Sequence, residues 1–397
     1  MRKNVATRQV EVILRRAVLA LCFSIYVMGV AGPAAAEGPK YASIDVPQAN
    51  GNGTLPIAVN LEGTVTGWYW DANGITHGFV RFADGRITPF DAPGAGTNPN
   101  NVGGTIPVGI NNLGTVVGYE NDENGVAHAF IRAADGKFRV FDAPGADLNP
   151  ADKLGTTASG INDLGTISGT YFDTAGLGHG YARQADGKFT SFEVVGAANG
   201  TTPDGPLNWA GAMGGFYLDA NLQFHLFVRS PFGKISAFDG PGMCTGGTPV
   251  GCFGGGMYDV NFFGNSIGAF MDNSGNFVSH QLLRKADGKI TTWDAPGAGT
   301  GSYQGTGFND TPTIGYPVGS LNTEGTVASM YMDSNSTHHG YLRTADGVFT
   351  TFDAPLADVT SGDDNGTWPT SINDFGVITG WYIDSSNVIH GFVRTPF

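Results

Sequence analysis

The chain has 397 residues and is poor in charge, because Asp, Glu, Lys and Arg make up only 14% of it, against about 25% in an average globular protein. Its 21 basic residues face 35 acidic ones, which gives a formal net charge of −14. The phosphates of nucleic acids and anionic membrane surfaces would repel such a chain, so we expect neither as a partner. Hydrophobic residues still form 41% of the chain, which is enough for a core and excludes a disordered polyelectrolyte.

Long apolar segments are missing beyond the first 36 residues, so no later segment predicts a membrane span. Residues 1–36 combine a basic start, an apolar run and the small-residue ending Ala34-Ala35-Ala36, which is typical of a secretory signal peptide. The sequence therefore predicts a secreted or periplasmic protein whose mature part, residues 37–397, is one domain.

Cysteine is scarce, since only Cys244 and Cys252 remain after the predicted signal peptide. Export allows a disulfide, and the short glycine-containing loop between the two residues is flexible enough to close one. The disulfide is therefore the prediction. Two free thiols are one alternative. A soft-metal site is the other, although no histidine lies nearby to complete it.

Glycine is abundant, with 62 residues, and aromatic residues make up 11% of the chain. The glycines do not recur at every third position, which excludes collagen. The composition lacks the Ala, Glu, Lys and Leu surplus of helical bundles. Many turns, many aromatics and few charges predict an all-β protein.

One pattern recurs seven times along the mature chain. A histidine is followed four residues later by an arginine, at intervals of about 50 residues, which indicates a repeat architecture. The pairs are His77/Arg81, His128/Arg132, His179/Arg183, His225/Arg229, His280/Arg284, His339/Arg343 and His390/Arg394.

Each repeat predicts four short antiparallel strands. An Asn-containing turn joins the first two strands, and an Asp-x-x-Gly turn precedes the third strand, which begins at the histidine. An Asp-Gly hairpin then leads to the fourth strand, because this dipeptide tolerates positive φ. Repeat 4 departs from this pattern, since its hairpin reads Pro231-Phe232-Gly233.

Four-stranded units that repeat radially predict a seven-bladed β-propeller. The last repeat stops after its third strand, whereas the mature chain begins with an isolated fourth strand, Tyr41–Pro47. Pairing that strand with the last repeat would complete the seventh blade, close the ring and remove exposed strand edges.

The repeated histidines and arginines invite a catalytic interpretation, since histidine can act as a general acid or base. A single active site needs one copy, however, and seven copies indicate a requirement of the fold. We expect these side chains to brace neighbouring blades through hydrogen bonds to buried backbone. No cofactor and no bound metal are predicted, although the Asp-x-x-Gly turns leave Ca²⁺ as an alternative.

Function is expected where the repeats diverge, in the long connections between the fourth strand of one repeat and the first strand of the next. Aromatic and acidic residues in these connections are candidates for ligand binding. They are Trp209, Phe253, Tyr303, Phe308, Trp368, Asp259, Asp310 and Asp363.

The unit Gly-Ile-Asn-x-x-Gly-Thr-x-x-Gly at Gly109–Gly118, followed by His128-Ala129-Phe130, resembles the bacterial extracellular repeats of the HAF family. The resemblance covers nearly the whole mature chain. It implies an exported repeat protein with a propeller-like fold, and it implies no established chemistry.

The sequence thus predicts an exported, monomeric propeller that binds a glycan or a protein on its long-loop face. The alternative is a polysaccharide-acting glycoside hydrolase or lyase with an acidic site near the central channel. A purely structural envelope protein is a third interpretation, so whether the chain is an enzyme stays open.

Overall fold

The computed structural model describes residues 38–49, 51, 53–98, 103–245, 254–307, 319–360 and 365–396. The predicted signal peptide, residues 1–36, lies outside the described residues. Lys40–Pro396 form one compact body. Its described residues are β-strands and turns, with a single turn of 3-10 helix at Pro47–Ala49.

The strands follow the seven sequence repeats. One strand precedes repeat 1, and it is β1 (Lys40–Ile44). Repeats 1 to 3 contain β2 (Thr54–Val59), β3 (Val65–Trp70), β4 (Thr76–Arg81), β5 (Ile87–Phe90), β6 (Gly104–Ile110), β7 (Val116–Asn121), β8 (Ala127–Arg132), β9 (Phe138–Phe141), β10 (Thr156–Ile161), β11 (Ile167–Phe172), β12 (Gly178–Arg183) and β13 (Phe189–Phe192). Repeats 4 and 5 contain β14 (Thr201–Pro203), β15 (Met213–Leu218), β16 (Phe224–Arg229), β17 (Ile235–Phe238), β18 (Gly255–Val260), β19 (Ser266–Met271), β20 (Ser279–Arg284) and β21 (Ile290–Trp293). Repeats 6 and 7 contain β22 (Gly305–Thr306), β23 (Ser320–Leu321), β24 (Val327–Met332), β25 (Thr337–Arg343), β26 (Phe349–Phe352), β27 (Asn365–Ile372), β28 (Ile378–Ile383) and β29 (Ile389–Thr395).

Consecutive strands within each repeat pair antiparallel, as β10 to β13 do in repeat 3. The first strand of repeat 6 is divided into β22 and β23, which both pair with β24. Repeat 7 takes its fourth strand from the other end of the sequence, because β1 pairs antiparallel with β29 from Lys40–Thr395 to Ile44–Gly391.

Glycine in the middle of the second strand lets the first strand lie close to it. A Cβ at Gly67 would lie 2.1 Å from the Leu55 carbonyl oxygen, and one at Gly169 would lie 2.1 Å from that of Thr157. No side chain fits at these positions, which explains part of the chain's high glycine content.

The strands do not form seven separate sheets. Parallel bridges, such as Thr76–Gly104 and Thr337–Asn365, join the third strand of one repeat to the first strand of the next. The described strands therefore fall into sheets of 13, 8, 4 and 4 strands, and none of these sheets closes on itself as a ring.

A series of buried asparagines links the repeats at the turn between the first and second strands. The Asn60 side chain donates to the Asn111 carbonyl oxygen, and Asn111 donates in the same way to Asn162. The series continues through Asn208, Asn261 and Asn322. Asn373 of repeat 7 donates to the Asn60 carbonyl oxygen at 2.8 Å, so the contacts return from the last repeat to the first.

Each repeat has two ends with different connections. The turn between the first and second strands and the hairpin between the third and fourth strands share one end, which we call the short-turn end. The Asp-x-x-Gly turns and the long connections between repeats share the opposite end, which we call the long-loop end. Apolar side chains between successive repeats form the core.

Candidate functional site

The seven repeat histidines lie at the long-loop end, each held by carboxylates. Their Nδ1 atoms lie 2.5–3.0 Å from the carboxylate that follows a fourth strand. In repeat 7 this carboxylate is Asp45, which follows β1. The partners are side chains, not the buried backbone groups that the sequence analysis expected.

The aspartate of the Asp-x-x-Gly turn stabilises that turn. In repeat 1 the Asp71 Oδ1 accepts hydrogen bonds from the backbone N–H groups of Asn73 and Ile75. Its other oxygen faces His77, with 3.7 Å between Asp71 Oδ2 and Nε2. The turn aspartate thus fixes its own backbone and one side of the histidine.

These carboxylates change the protonation of the histidines. Hydrogen bonds that the histidines donate to Asp142, Asp294 and Asp353 are the largest cause that raises the pKa of His128, His280 and His339, and burial opposes them. We call these three residues the clamped histidines. Burial lowers the pKa of His179, but its hydrogen bonds to Glu193 and Asp173 outweigh that effect, so its pKa is raised as well.

An aromatic ring packs against the histidine in six of the repeats. Tyr171 and His179, for example, stack with 4.9 Å between ring centroids. In repeat 2 the same strand position is Glu120, which pairs with His128 across the two strands. Glu120 is 2% exposed, and within the described part of the chain its Oε2 has no hydrogen-bond partner. Burial raises the pKa of Glu120 to about 7.

Six of the repeat arginines lie over an aromatic ring on the fourth strand of the preceding repeat. The guanidinium carbon is 4.2–5.1 Å from the ring centroid in each pair, a distance typical of cation–π contacts. The pairs are Arg132–Phe90, Arg183–Phe141, Arg229–Phe192, Arg284–Phe238, Arg343–Trp293 and Arg394–Phe352. Arg81 of repeat 1 instead donates to the Phe82 carbonyl oxygen.

Three of the predicted binding residues lie outside the long connections, namely Trp368 and Asp259 on strands and Trp209 in a short turn. Trp368 lies on β27, is 1% exposed and stacks on Trp381 with 3.9 Å between ring centroids. It is a core residue, so the expectation that it is exposed in a loop is wrong. Tyr303 does lie in a long connection, where it packs against Phe277.

Two buried acidic groups lie near the first strands. The candidate Asp259 is held by hydrogen bonds from the Ser320 hydroxyl and the Leu321 N–H, each at 2.9 Å, so it links repeat 5 to repeat 6. Burial is the main cause that raises its pKa, and the charge of Asp374 raises it further. Burial also raises the pKa of Asp204 to about 7.

Five further predicted residues cannot be placed. Cys244 is buried beside Met271 and Phe277, but Cys252 lies outside the described residues, so the disulfide stays a prediction. The same holds for Phe253, Phe308, Asp310 and Asp363 as ligand-binding residues.

Trp209 lies at the short-turn end, not in the long connection to which the sequence analysis assigned it. It follows Asn208 in the turn closed by the hydrogen bond from Gly211 N–H to the Asn208 carbonyl oxygen. Its side chain is 49% exposed and stacks on Phe262 of repeat 5 with 5.3 Å between centroids and 18° between planes. Phe263 packs edge-on against Phe262.

Exposed aromatic side chains are concentrated at this end. Those among the described residues are Trp209, Phe232, Phe262, Phe263 and Phe375, all in short turns. The exposed large apolar residues described at the long-loop end are leucines and valines. The described aromatics therefore favour the short-turn end as a recognition surface.

A groove of about 530 Å³ lies between repeats 3 and 4 at the short-turn end. Polar side chains line it, namely Thr166, Gln184, Asp186, Thr190 and Arg229. Its apolar wall consists of Leu164, Ala182, Ala185, Ala210, Pro231 and Phe232. Trp209 directly precedes the lining residue Ala210 in the chain, and its ring faces Phe262 of repeat 5.

This groove was not predicted from the sequence, although one signal for it is visible there. Repeat 4 lacks the aspartate of the other hairpins and carries Pro231 and Phe232 instead. Both residues line the groove. A comparison of hairpins between repeats would therefore have pointed to this position.

Two further classes of site are not observed in the described ranges. No group of three or more His, Cys, Asp or Glu there is placed to hold a metal ion. No helix in that part of the chain is long and apolar enough to cross a membrane.

The comparisons with known proteins concern the fold. No protein-family profile and no curated protein sequence match the chain, so its resemblance to HAF repeats stays a prediction. Among solved structures it is similar to a streptogramin B lyase, with a TM-score of 0.52, 15% identity and coverage of 91% of this chain and 100% of that one. It is also similar to the BP39L lectin from Burkholderia pseudomallei, with a TM-score of 0.50, 8% identity and coverage of 87% and 99%.

A third similar structure is the β-propeller domain of the Trilobed protease from Pyrococcus furiosus, with a TM-score of 0.49 and 8% identity over 86% of this chain and 95% of that one. At such low identities the similarity concerns architecture alone. The protein is all-β, and its structural neighbours are β-propeller proteins.

Proposed function

We propose that this chain is a β-propeller binding protein that holds a glycan at its short-turn end, in the groove between repeats 3 and 4. The main observation behind the proposal is the exposed stacked pair Trp209–Phe262 at the same end of the repeats as a groove with hydrogen-bonding walls, which begins one residue after Trp209 in the chain. Aromatic faces pack against the apolar faces of sugar rings, while hydroxyl, amide and charged side chains bond their hydroxyl groups. The groove has the volume of a small-ligand site.

The scaffold of this proposal is a closed ring of seven blades. Two observations support it, namely the pairing of β1 with β29 and the hydrogen bond from Asn373 back to Asn60. A closed ring holds the short turns in fixed positions, and a preorganised site loses less entropy when it binds. In this scaffold the repeat histidines contact carboxylates within one blade, as His77 contacts Asp71 and Asp91, and do not brace neighbouring blades. Six of the repeat arginines brace a blade against the preceding one.

The proposal includes export. The signal-like segment, residues 1–36, supports a secreted or periplasmic location. Glycans are abundant outside the cytoplasm, and a binding protein with a net charge of −14 avoids nonspecific contact with nucleic acids and anionic surfaces.

The purified mature protein should first be screened on a glycan array, and the retained sugars then titrated calorimetrically. Trp209→Ala should weaken binding about tenfold, because loss of an aromatic stacking partner costs about 1.5 kcal/mol. Phe375→Ala is the matched control, since Phe375 is similarly exposed in the corresponding turn of repeat 7. It should leave the affinity unchanged.

Two results would overturn this assignment. Equal affinity of the wild type and the Trp209→Ala variant would remove the site from the short-turn end. Retention of no sugar by the wild type, together with specific capture of a protein that Trp209→Ala abolishes, would make the ligand a protein.

A further inference from the structure

Arg229 is the positive charge in the groove between repeats 3 and 4. It ends β16, is 8% exposed and lines the groove. Its guanidinium lies over the Phe192 ring at 4.8 Å. Among the described residues Arg229 forms no ion pair, and its buried Nε has no hydrogen-bond partner, a feature it shares with Arg132, Arg183, Arg343 and Arg394.

The corresponding arginines of other repeats have a carboxylate in the hairpin that follows them. Asp84, Asp135, Asp186 and Asp287 each raise the pKa of their arginine and oppose the effect of burial. For Arg229 burial lowers the pKa with no such opposition. The reason is in the sequence, since Phe232 replaces that aspartate and is 98% exposed.

Other charges near the groove are mixed but mostly positive. Asp186 lines the groove, and its Oδ1 accepts the backbone N–H of Lys188. Arg139 and Arg183 both reach the neighbouring Gly187, since each places a terminal nitrogen within 4 Å of a Cβ built there. Lys234 follows in the hairpin of repeat 4. Arg183 is 1% exposed, so Arg229 and Asp186 are the charged side chains that line the groove itself.

We infer that the glycan bound in this groove is acidic, a saccharide whose carboxylate pairs with Arg229. This inference rests on the proposed function and names the class of its ligand. A guanidinium presents two parallel N–H donors to a carboxylate. The ligand then supplies the anion that the hairpin aspartate supplies in the other repeats.

The test is an array on which each uronic or sialic acid oligosaccharide is printed beside its neutral methyl ester. The wild type should bind the acids about 10- to 100-fold more tightly than the esters, as expected for a charge-assisted hydrogen bond. Phe232→Asp restores the carboxylate of the other hairpins at an exposed position. It should reduce the preference by about two- to fivefold, because an exposed ion pair is worth about 0.2–1 kcal/mol. The effect is read from the ratio of acid to ester affinity, since Phe232 also lines the groove.

Two variants complete the design. Arg229→Gln should also abolish the preference, whereas Arg284→Gln, in a repeat that retains its hairpin aspartate Asp287, should not. Equal binding of acids and esters by the wild type would overturn the inference while the proposed function stands. An undiminished preference in Phe232→Asp would overturn it as well.

Failure of the proposed function would look different, because the wild type would then retain no sugar of either kind. In that case, the unfolding temperatures of the wild type and Phe232→Asp, measured with and without sodium sulfate, test whether Arg229 binds an anion. A sulfate-dependent rise in the unfolding temperature that Phe232→Asp abolishes would keep Arg229 as an anion site. An equal rise in both proteins would reject it.

Discussion

The contact between the last and first repeats can be tested at Asn373. Its side chain donates to the Asn60 carbonyl oxygen at 2.8 Å and accepts the N–H groups of Phe375 and Val377 at 3.0 Å each. Asn373→Ala leaves these three backbone groups without their partners. At about 1 kcal/mol for each hydrogen bond, the free energy of unfolding should fall by about 3 kcal/mol.

The matched variant is Asn111→Ala, which breaks the same three bonds within the continuous part of the chain. Asn111 donates to the Asn162 carbonyl oxygen at 3.1 Å and accepts the N–H groups of Leu113 and Thr115. Both asparagines are buried to a similar degree. If repeat 7 contacts repeat 1 as repeat 2 contacts repeat 3, the two variants should lose equal stability.

Urea unfolding followed by tryptophan fluorescence measures both losses, with the slope of the free energy against urea compared as a check on compactness. Only the bond to Asn60 joins the two repeats, whereas the bonds from Phe375 and Val377 lie within the turn of Asn373. A loss near 3 kcal/mol for Asn111→Ala with about 2 kcal/mol or less for Asn373→Ala would therefore refute the reasoning, because it would show that the contact between repeats 7 and 1 contributes little in solution.

Three further predictions concern the long-loop end and the core. Glu120→Tyr should raise the free energy of unfolding by about 1–3 kcal/mol at pH 8, because it replaces a buried unpaired carboxylate with the aromatic ring that the other repeats carry at this position. The gain should be smaller at pH 5, where Glu120 is protonated. Equal gains at both pH values in urea unfolding would contradict this prediction. In the same variant, the free energy of unfolding should still fall as pH rises from 6 to 8.5. The clamped histidines stabilise the fold below their unfolded pKa of about 6.5, and they lose that contribution as pH rises through their raised folded pKa. A urea midpoint that does not change with pH over this range would contradict the prediction. Trp368→Ala should cost about 3–5 kcal/mol of stability, as other large core truncations do, with glycan affinity unchanged in calorimetry.

Much of the fold could be predicted from the repeats because turn chemistry is local. Asn60, in the turn between the first two strands, and Asp71, in the Asp-x-x-Gly turn, each accept a backbone N–H group four residues further along the chain. The spacing of such residues alone therefore indicates hairpins. The pairing of β1 with β29 could also be predicted, since each end of the chain carries a part that the other lacks. The division of the strands into four sheets depends on single bridges between repeats, which no sequence pattern marks.

The site was harder to predict, because exposure depends on the position within the repeat and not on the residue type. Trp368 occupies the strand position of Leu55 and Ile106, which are both buried, and aligning the repeats at that position would have predicted a core residue. Trp209 follows the turn asparagine as Phe262 does, which assigns it to the short-turn end. The groove could not be predicted from the sequence, because its walls come from two different repeats that only the fold brings together.

The pairing of β1 with β29 has a consequence for how the protein is made. Lys40 and Thr395 are 355 positions apart in the sequence and become neighbours only when all the residues between them have been synthesised. Repeats 1 to 6 draw their strands from continuous sequence, so their strands can pair without a distant segment. Repeat 7 needs both β1 and β29, and contacts of such large sequence separation form slowly. The synthesis of β29, and not that of any earlier repeat, therefore sets the earliest moment at which the fold is complete.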